Sequence, residues 1–250
     1  EPEFTQGTSN GLSWSEAEDA GVGGVLYTFQ WSTTSVFSTV TGEYDRLEGT
    51  SAVVSGLADN TRYYYRVRAR DSFSHFTPWS NIVWSIQDAS APPVPVMKEE
   101  PEYTKGTSNE VGWSTVTDKG VGGVEYYHEL STDGAFTNPI GTGWTMETGW
   151  KWNNLGDGSR YWYRVRARDA FGQQSEWSAF VSSTQDDRAP GVPTLAAEPT
   201  VTQGTTNAVS WSTVTDAGVG GVQYEVQASL ASDFDTLHAT SGWTTATSHT

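Results

Sequence analysis

Aspartate recurs at matching places along this chain. Asp19, Asp118 and Asp216 each follow a tryptophan in the same context, Asp71 and Asp169 each close a run reading RVRARD, and Asp88 and Asp186 each follow a glutamine, the latter with Asp187 behind it. Several carboxylates brought together with backbone carbonyls suit a hard divalent cation, because Ca²⁺ takes six to eight oxygen ligands. Singly, the same residues cap turns through Asx hydrogen bonds. Arginine is also unevenly placed. Of ten arginines, Arg62, Arg66, Arg68, Arg70, Arg160, Arg164, Arg166 and Arg168 fall in two copies of one segment, and Trp79 and Trp177 follow in PWS and EWS. Guanidinium groups beside indole faces point to cation–π stacking, about 0.5–1 kcal/mol per exposed contact. The rival use of such a basic stripe is to capture an anionic polysaccharide, although Glu125 and Glu129 on a neighbouring strand neutralise part of it.

Catalytic chemistry has little support. His75, His128, His238 and His249 share no ligand-like spacing and are expected as surface or strand filler, and no nucleophile, base and acid set recurs. GVGGV at Gly21–Val25 has the wrong spacing for a phosphate loop and returns in every repeat, so its glycines are expected to serve a turn. Cysteine is absent, which excludes disulfides, thiolate metal sites and a cysteine nucleophile. A net charge of −16, from 14 basic and 30 acidic residues, argues against nucleic acid or an anionic membrane as partner and favours cations. No apolar run approaches the roughly 20 residues that span a bilayer.

These residues repeat because the chain repeats. GTSNGLSW, GTSNEVGW and GTTNAVSW begin at Gly7, Gly106 and Gly204, so Trp14, Trp113 and Trp211 are spaced 99 and 98 residues apart. A side chain present in every copy must first be suspected of building every copy's core. Within a copy, apolar residues alternate with polar ones at period two between Gly, Asn, Asp and Pro, which predicts antiparallel strands with one buried face. In the second copy the pattern predicts strands over Val96–Tyr103, Glu110–Ser114, Val124–Ser131, Gly143–Thr148, Lys151–Asn153, Tyr161–Asp169 and Trp177–Ser183. Tyr63, Tyr65, Val67 and Ala69 should point inward and Arg66, Arg68 and Arg70 outward.

LADNTRYYYRVRARD at Leu57–Asp71 and LGDGSRYWYRVRARD at Leu155–Asp169, with the recurrent tryptophan and the Pro-rich APPVP and APGVP stretches, resemble fibronectin type III domains. The two long runs match that family's sixth strand, with the corner tyrosine at Tyr63 and Tyr161. The resemblance implies an all-β fold of tandem seven-stranded, immunoglobulin-like sandwiches: residues 1–89, 90–188 and 189–250, the first lacking its Pro-rich lead-in and the third copy incomplete. The Arg and Trp residues resemble the ladder of cytokine-receptor fibronectin domains, formed here by Arg66, Arg68, Arg70 and Trp79, and by Arg164, Arg166, Arg168 and Trp177.

In a head-to-tail array of such units, the loops after the second and sixth strands lie against the preceding linker. Asp118 and Asp169 are then expected near Asp88, and Asp216 near Asp186 and Asp187, as interdomain calcium ligands. The expected role is a non-catalytic repeat segment of a larger extracellular or cell-surface structural protein of bacterial or archaeal type: a surface layer, filament or adhesin stalk. It would act as a stiff spacer that associates with itself or with neighbouring repeats of a longer array. The alternative is a set of accessory modules in a secreted polysaccharide-degrading enzyme, or a glycan-binding adhesin.

Overall fold

A computed structural model describes all residues of the chain except Ala20, Val22, Val121, Val219 and Gly220. Among the described residues there is no helix, and so none long and apolar enough to cross a membrane. The first repeat contributes β1 (Phe4–Gln6), β2 (Ser9–Ser13), β3 (Leu26–Ser32), β4 (Gly42–Leu47), β5 (Ser51–Ser55), β6 (Arg62–Arg70) and β7 (Val83–Asp88). They form one sheet in the order β1-β7-β6-β3-β4, facing the pair β2-β5. The second contributes β8 (Tyr103–Lys105), β9 (Asn109–Gly112), β10 (Glu125–Ser131), β11 (Ile140–Gly141), β12 (Gly149–Trp152), β13 (Arg160–Arg168) and β14 (Val181–Asp186). Its sheets, β11-β10-β13-β14-β8 and β12-β9, repeat that plan. The third holds β15 (Val209–Ser210), β16 (Gln227–Ser229), β17 (Leu237–Thr240) and β18 (Ser248–His249), in the pairs β15-β18 and β16-β17. The architecture is a series of β-sandwiches, and among the described residues no sheet takes strands from two repeats.

The period-two pattern places side chains as the sequence predicts. Along β6, Tyr63, Tyr65 and Ala69 are buried, while the arginines between them face outward and are only partly covered. Each complete unit closes its own core: Leu12, Phe29, Val54, Leu57, Tyr63 and Tyr65 in the first, and a set around Val111, Trp113, Tyr126, Leu130 and Tyr163 in the second. Burying a large apolar side chain contributes about 1.5–3 kcal/mol, so each set holds its sheets together without help from the neighbouring unit. The corner tyrosines close the turn before the sixth strand: the Tyr63 hydroxyl accepts the Ala58 amide at 3.1 Å, and the Tyr161 hydroxyl accepts that of Gly156 at 2.9 Å.

Four expectations are corrected. The stretch predicted as a strand over Gly143–Thr148 forms none: Thr145 alone bridges Tyr126, and the edge of β10 is paired by β11 just before it. The strand predicted over Val96–Tyr103 is split: Met97 bridges Trp113, and only after Pro101, which has no N–H to donate, does β8 join the opposite sheet in parallel with β14. The last strand starts at Val181 rather than Trp177. Ser175 and Ser178 accept the Ala167 and Val165 amides through their hydroxyls at 2.9 and 3.1 Å, so this stretch breaks the ladder while staying fastened to β13. His128, expected as surface or strand filler, is 1% exposed and lies in the second core. Its ring centroid sits 5.0, 5.1 and 5.3 Å from those of Trp113, Trp150 and Trp152, at the place Phe29 holds in the first repeat.

Candidate functional site

The acidic residues meet where one sandwich hands over to the next. Asp88 is the last residue of β7, and pairing of β1 with β7 places the Gly7 amide on its carbonyl at 2.7 Å. The loop bearing Asp118 is clasped from below, because the hydroxyl of buried Tyr126 accepts the Val116 amide at 3.0 Å. Tyr27 does the same for Ala17 at 2.9 Å and Tyr224 for Val214 at 3.1 Å, so the clasp belongs to every repeat. Asp169 follows β13 directly, and its carboxylate accepts the Gln173 amide at 2.9 Å and side-chain Nε2 at 3.0 Å.

These three elements bring carboxylate oxygens of Asp88, Asp118 and Asp169 within 4.8 Å of one another. Asp88 is 0% and Asp169 2% exposed, whereas Asp118 is half-buried. Two unit charges at that separation repel by about 3 kcal/mol at an effective dielectric of ~20, so a buried trio of carboxylates needs compensation. Some is local. Gln173 Nε2 also lies 3.4 Å from the carbonyl and from Oδ1 of Asp88. For Asp118, burial and then the Asp88 charge push the carboxyl above its ordinary range, with Asp169 adding to them, while the Gly120 and Lys119 amides pull it down. Its Oδ2 is buried with no hydrogen-bond donor. Gly120 allows the approach, since a Cβ there would lie 2.1 Å from the Asp88 Cγ.

The second joint brings together the counterparts of Asp88 and Asp118. A Cβ on Gly218 would lie 2.5 Å from the Asp186 Cγ, and the Gly218 amide donates to Asp216 Oδ1 at 3.3 Å, so both aspartates flank one glycine. Asp187 is exposed, and its amide donates to Asp157 Oδ1 at 2.8 Å; it does not join them as the sequence suggested, because it occupies the place of Ala89, whose amide is bound by Asp59 at 2.7 Å. In the first repeat Asp71 caps a turn, accepting the Phe73 and His75 amides, each at 2.9 Å, and its Oδ2 lies 2.7 Å from the His75 ring Nδ1.

The arginine stripe is occupied by its own fold. Arg66 lies 4.0 Å from the Phe37 ring and 4.1 Å from that of Trp79, and Arg68 lies 4.6 Å from Trp79 and 4.2 Å from Phe76. In the second unit Arg164 is held between Phe136 and Trp177, each at 4.1 Å, with Glu129 at 2.6 Å; Arg166 lies 4.5 Å from Trp177. Two members stack elsewhere than the sequence suggested. Arg70 sits 5.9 Å from Phe76 and pairs with Asp45 at 3.5 Å, and Arg168 stacks on Trp144 at 4.3 Å and pairs with Glu125 at 2.8 Å. Each is one strand position too far along to reach the tryptophan. Sequence reasoning missed the phenylalanines: Phe37, Phe136 and Phe234 stand at one repeat position with left-handed φ of 50°, 55° and 60°. Their common place in the repeat was the available signal.

No protein-family model matches the chain, and no relative is found among curated proteins. Among solved structures, the FN1–FN3 domains of chicken CNTN1 are similar at 18% identity and a TM-score of 0.39, covering 73% of this chain and 64% of that one. The chain thus spans less than two thirds of that structure.

Proposed function

We propose that this chain is a non-catalytic, extracellular spacer whose sandwiches are set head to tail, with calcium bound at the joint between the first two. The role fits a surface layer, filament or adhesin stalk in which the repeats set distance and meet neighbouring repeats. The observation that carries the reading is the joint itself. Asp88 of one unit, Asp118 and Asp169 of the next converge from three separate elements, each fixed by its own hydrogen bonds. Three carboxylates supply hard oxygen donors of the kind calcium prefers, and a divalent cation would offset their mutual repulsion.

The accessory role in a polysaccharide-degrading enzyme or glycan-binding adhesin has less support. The guanidinium groups that would meet an anionic glycan are stacked on Trp79, Trp177, Phe37 and Phe136.

Scanning calorimetry of the chain in calcium and in EDTA tests the reading. At a calcium concentration one hundred times Kd, a site confined to the folded state adds about 2.7 kcal/mol. For units of this size that raises Tm by roughly 10–20 °C. Asp118→Asn should abolish the rise, and small-angle scattering should show the particle losing its extended profile on chelation. Identical melting curves in calcium and EDTA would remove the cation from the proposal.

A further inference from the structure

We infer that each complete sandwich aims its successor through a latch. The aspartate in the corner before its long arginine strand, Asp59 in the first unit and Asp157 in the second, captures the first amide of the following linker and so sets the direction in which the next unit leaves. The latch takes its use from the spacer reading, but it needs no cation.

The corner is a rigid platform. Leu57 is buried in the first core, and its amide donates to the Thr8 carbonyl at 2.9 Å. The Asn60 amide donates to the Gln87 carbonyl at 2.8 Å and the Gln87 amide to the Thr61 carbonyl at 3.1 Å, so the corner and the end of β7 are tied in both directions. Asn60 takes a left-handed φ of 49°, which asparagine tolerates in tight turns. The second unit repeats each tie. There the Leu155 amide meets Thr107 at 2.9 Å, the Gly158 amide meets Gln185 at 2.9 Å and the Gln185 amide meets Ser159 at 3.0 Å, with Gly158 at φ 67°.

What the platform offers the linker is a carboxylate. β7 ends at Asp88. At the next residue the Ala89 amide donates to Asp59 Oδ1 at 2.7 Å, and the Ser90 hydroxyl donates to Oδ2 at 2.7 Å, so the two oxygens of one side chain hold two successive residues. An ionised acceptor makes such bonds roughly twice as strong as neutral ones. The Ala89 amide and then the Ser90 hydroxyl keep the Asp59 carboxyl below its ordinary range against the burial that raises it, and Lys119 of the second unit adds to them. At the second joint the Asp187 amide takes the place of Ala89, on Asp157 Oδ1 at 2.8 Å.

Little freedom is left beyond the latch. Pro92 and Pro95 are buried, each with its φ fixed by the ring, and Met97 lies in the second core. Only Ala91 separates the latched Ser90 from the first buried proline. The following unit also meets the corner directly: the Ala217 carbonyl lies 2.8 Å from where a Cβ on Gly158 would stand, so the loop bearing Asp216 rests on the glycine of the latch turn. Each joint therefore has two ties. Asp59 fastens the linker to the unit before it, while Asp88 faces Asp118 and Asp169 of the unit after it.

The chain has no cysteine, so spin labels can be attached to the full chain at Val53→Cys and Lys151→Cys, both exposed and at one repeat position in β5 and β12. Double electron–electron resonance in EDTA then reads the spread of distances between the first two units with no cation acting. Releasing Ala89 and Ser90 frees three residues in place of Ala91 alone, and because the span of a flexible segment grows as the square root of its length, Asp59→Ala should widen the distribution about 1.7-fold. Ser90→Ala, which leaves the corner untouched, should widen it less, and Asp59→Asn, which keeps an acceptor, should recover part of the wild-type width. Asp59 is exposed, so the melting transition of the first unit should stay in place. Equal widths in wild type and Asp59→Ala, or the same widening in Glu48→Ala, which removes an equal charge elsewhere on the unit, would overturn the inference. If wild type melts identically in calcium and EDTA while Asp59→Ala still widens the distribution, the cation reading fails and the latch stands.

Discussion

Replacing His128 with phenylalanine should make the second sandwich resistant to acid while leaving the first unchanged. His128 is buried among three tryptophans, and neither ring nitrogen has a hydrogen-bond partner. Burial therefore lowers its pKa from 6.5 to about 4. Above pH 6.5 the ring is neutral in both the folded and unfolded states and contributes no pH dependence. Below that, the unfolded chain binds a proton that the folded chain refuses, so stability falls by about 1.4 kcal/mol per pH unit until the folded pKa is reached. Over that window the loss amounts to roughly 3 kcal/mol. For a unit of about 100 residues this is a fall in Tm of some 10–20 °C. Carboxylates titrate in both proteins, so the decisive quantity is the wild-type Tm shift between pH 7 and pH 4 minus that of His128→Phe. It is read from the calorimetric transition that His128→Phe moves at pH 4. Taking this difference also cancels any packing cost of the larger ring, which raises or lowers both endpoints together. Equal pH shifts in the two proteins would refute the reasoning.

Two further perturbations address the joint and the ladder. Gly120→Ala should uncouple the first two units by about 2 kcal/mol and blunt any calcium response, because its Cβ would meet the Asp88 carboxylate at 2.1 Å; Gly122→Ala, with no atom within 4 Å, should be silent in the same calorimetric assay. In urea denaturation Arg164→Ala should cost about 2 kcal/mol, since this guanidinium lies between two rings and on Glu129. Arg160→Ala, exposed and 5.4 Å from Trp162, should cost under about 0.5 kcal/mol, and equal losses would mean that stacking contributes nothing.

What could be read from the sequence follows from what repeats. The strand faces of β6 and β13, the corner tyrosines and the meeting of Asp88 with Asp118 and Asp169 rest on period-two alternation and on the order of strands, both of which a one-dimensional pattern carries. Boundaries failed where a side chain or an imino acid replaced a ladder bond: Ser175 and Ser178 displaced the start of β14, and Pro101 divided the first strand. His128 was misjudged because its repeat position holds phenylalanine in one unit and valine in another, so its polarity hid its burial. Arg70 and Arg168 were assigned to a tryptophan that the strand rise carries beyond their reach, and Asp187 to a joint that its Asp157 partner turns it from.

The first and last strands of each complete unit are immediate neighbours. Phe4, Thr5 and Gln6 lie beside Ile86, Gln87 and Asp88 in parallel, and Tyr103, Thr104 and Lys105 beside Thr184, Gln185 and Asp186. Tension applied through the two termini of a unit therefore drags these strands past one another lengthwise. The short ladder must rupture as a block instead of peeling open bond by bond. A sandwich so connected resists stretching far better than its equilibrium stability alone suggests, and each that yields releases about 300 Å of slack before the next takes the load.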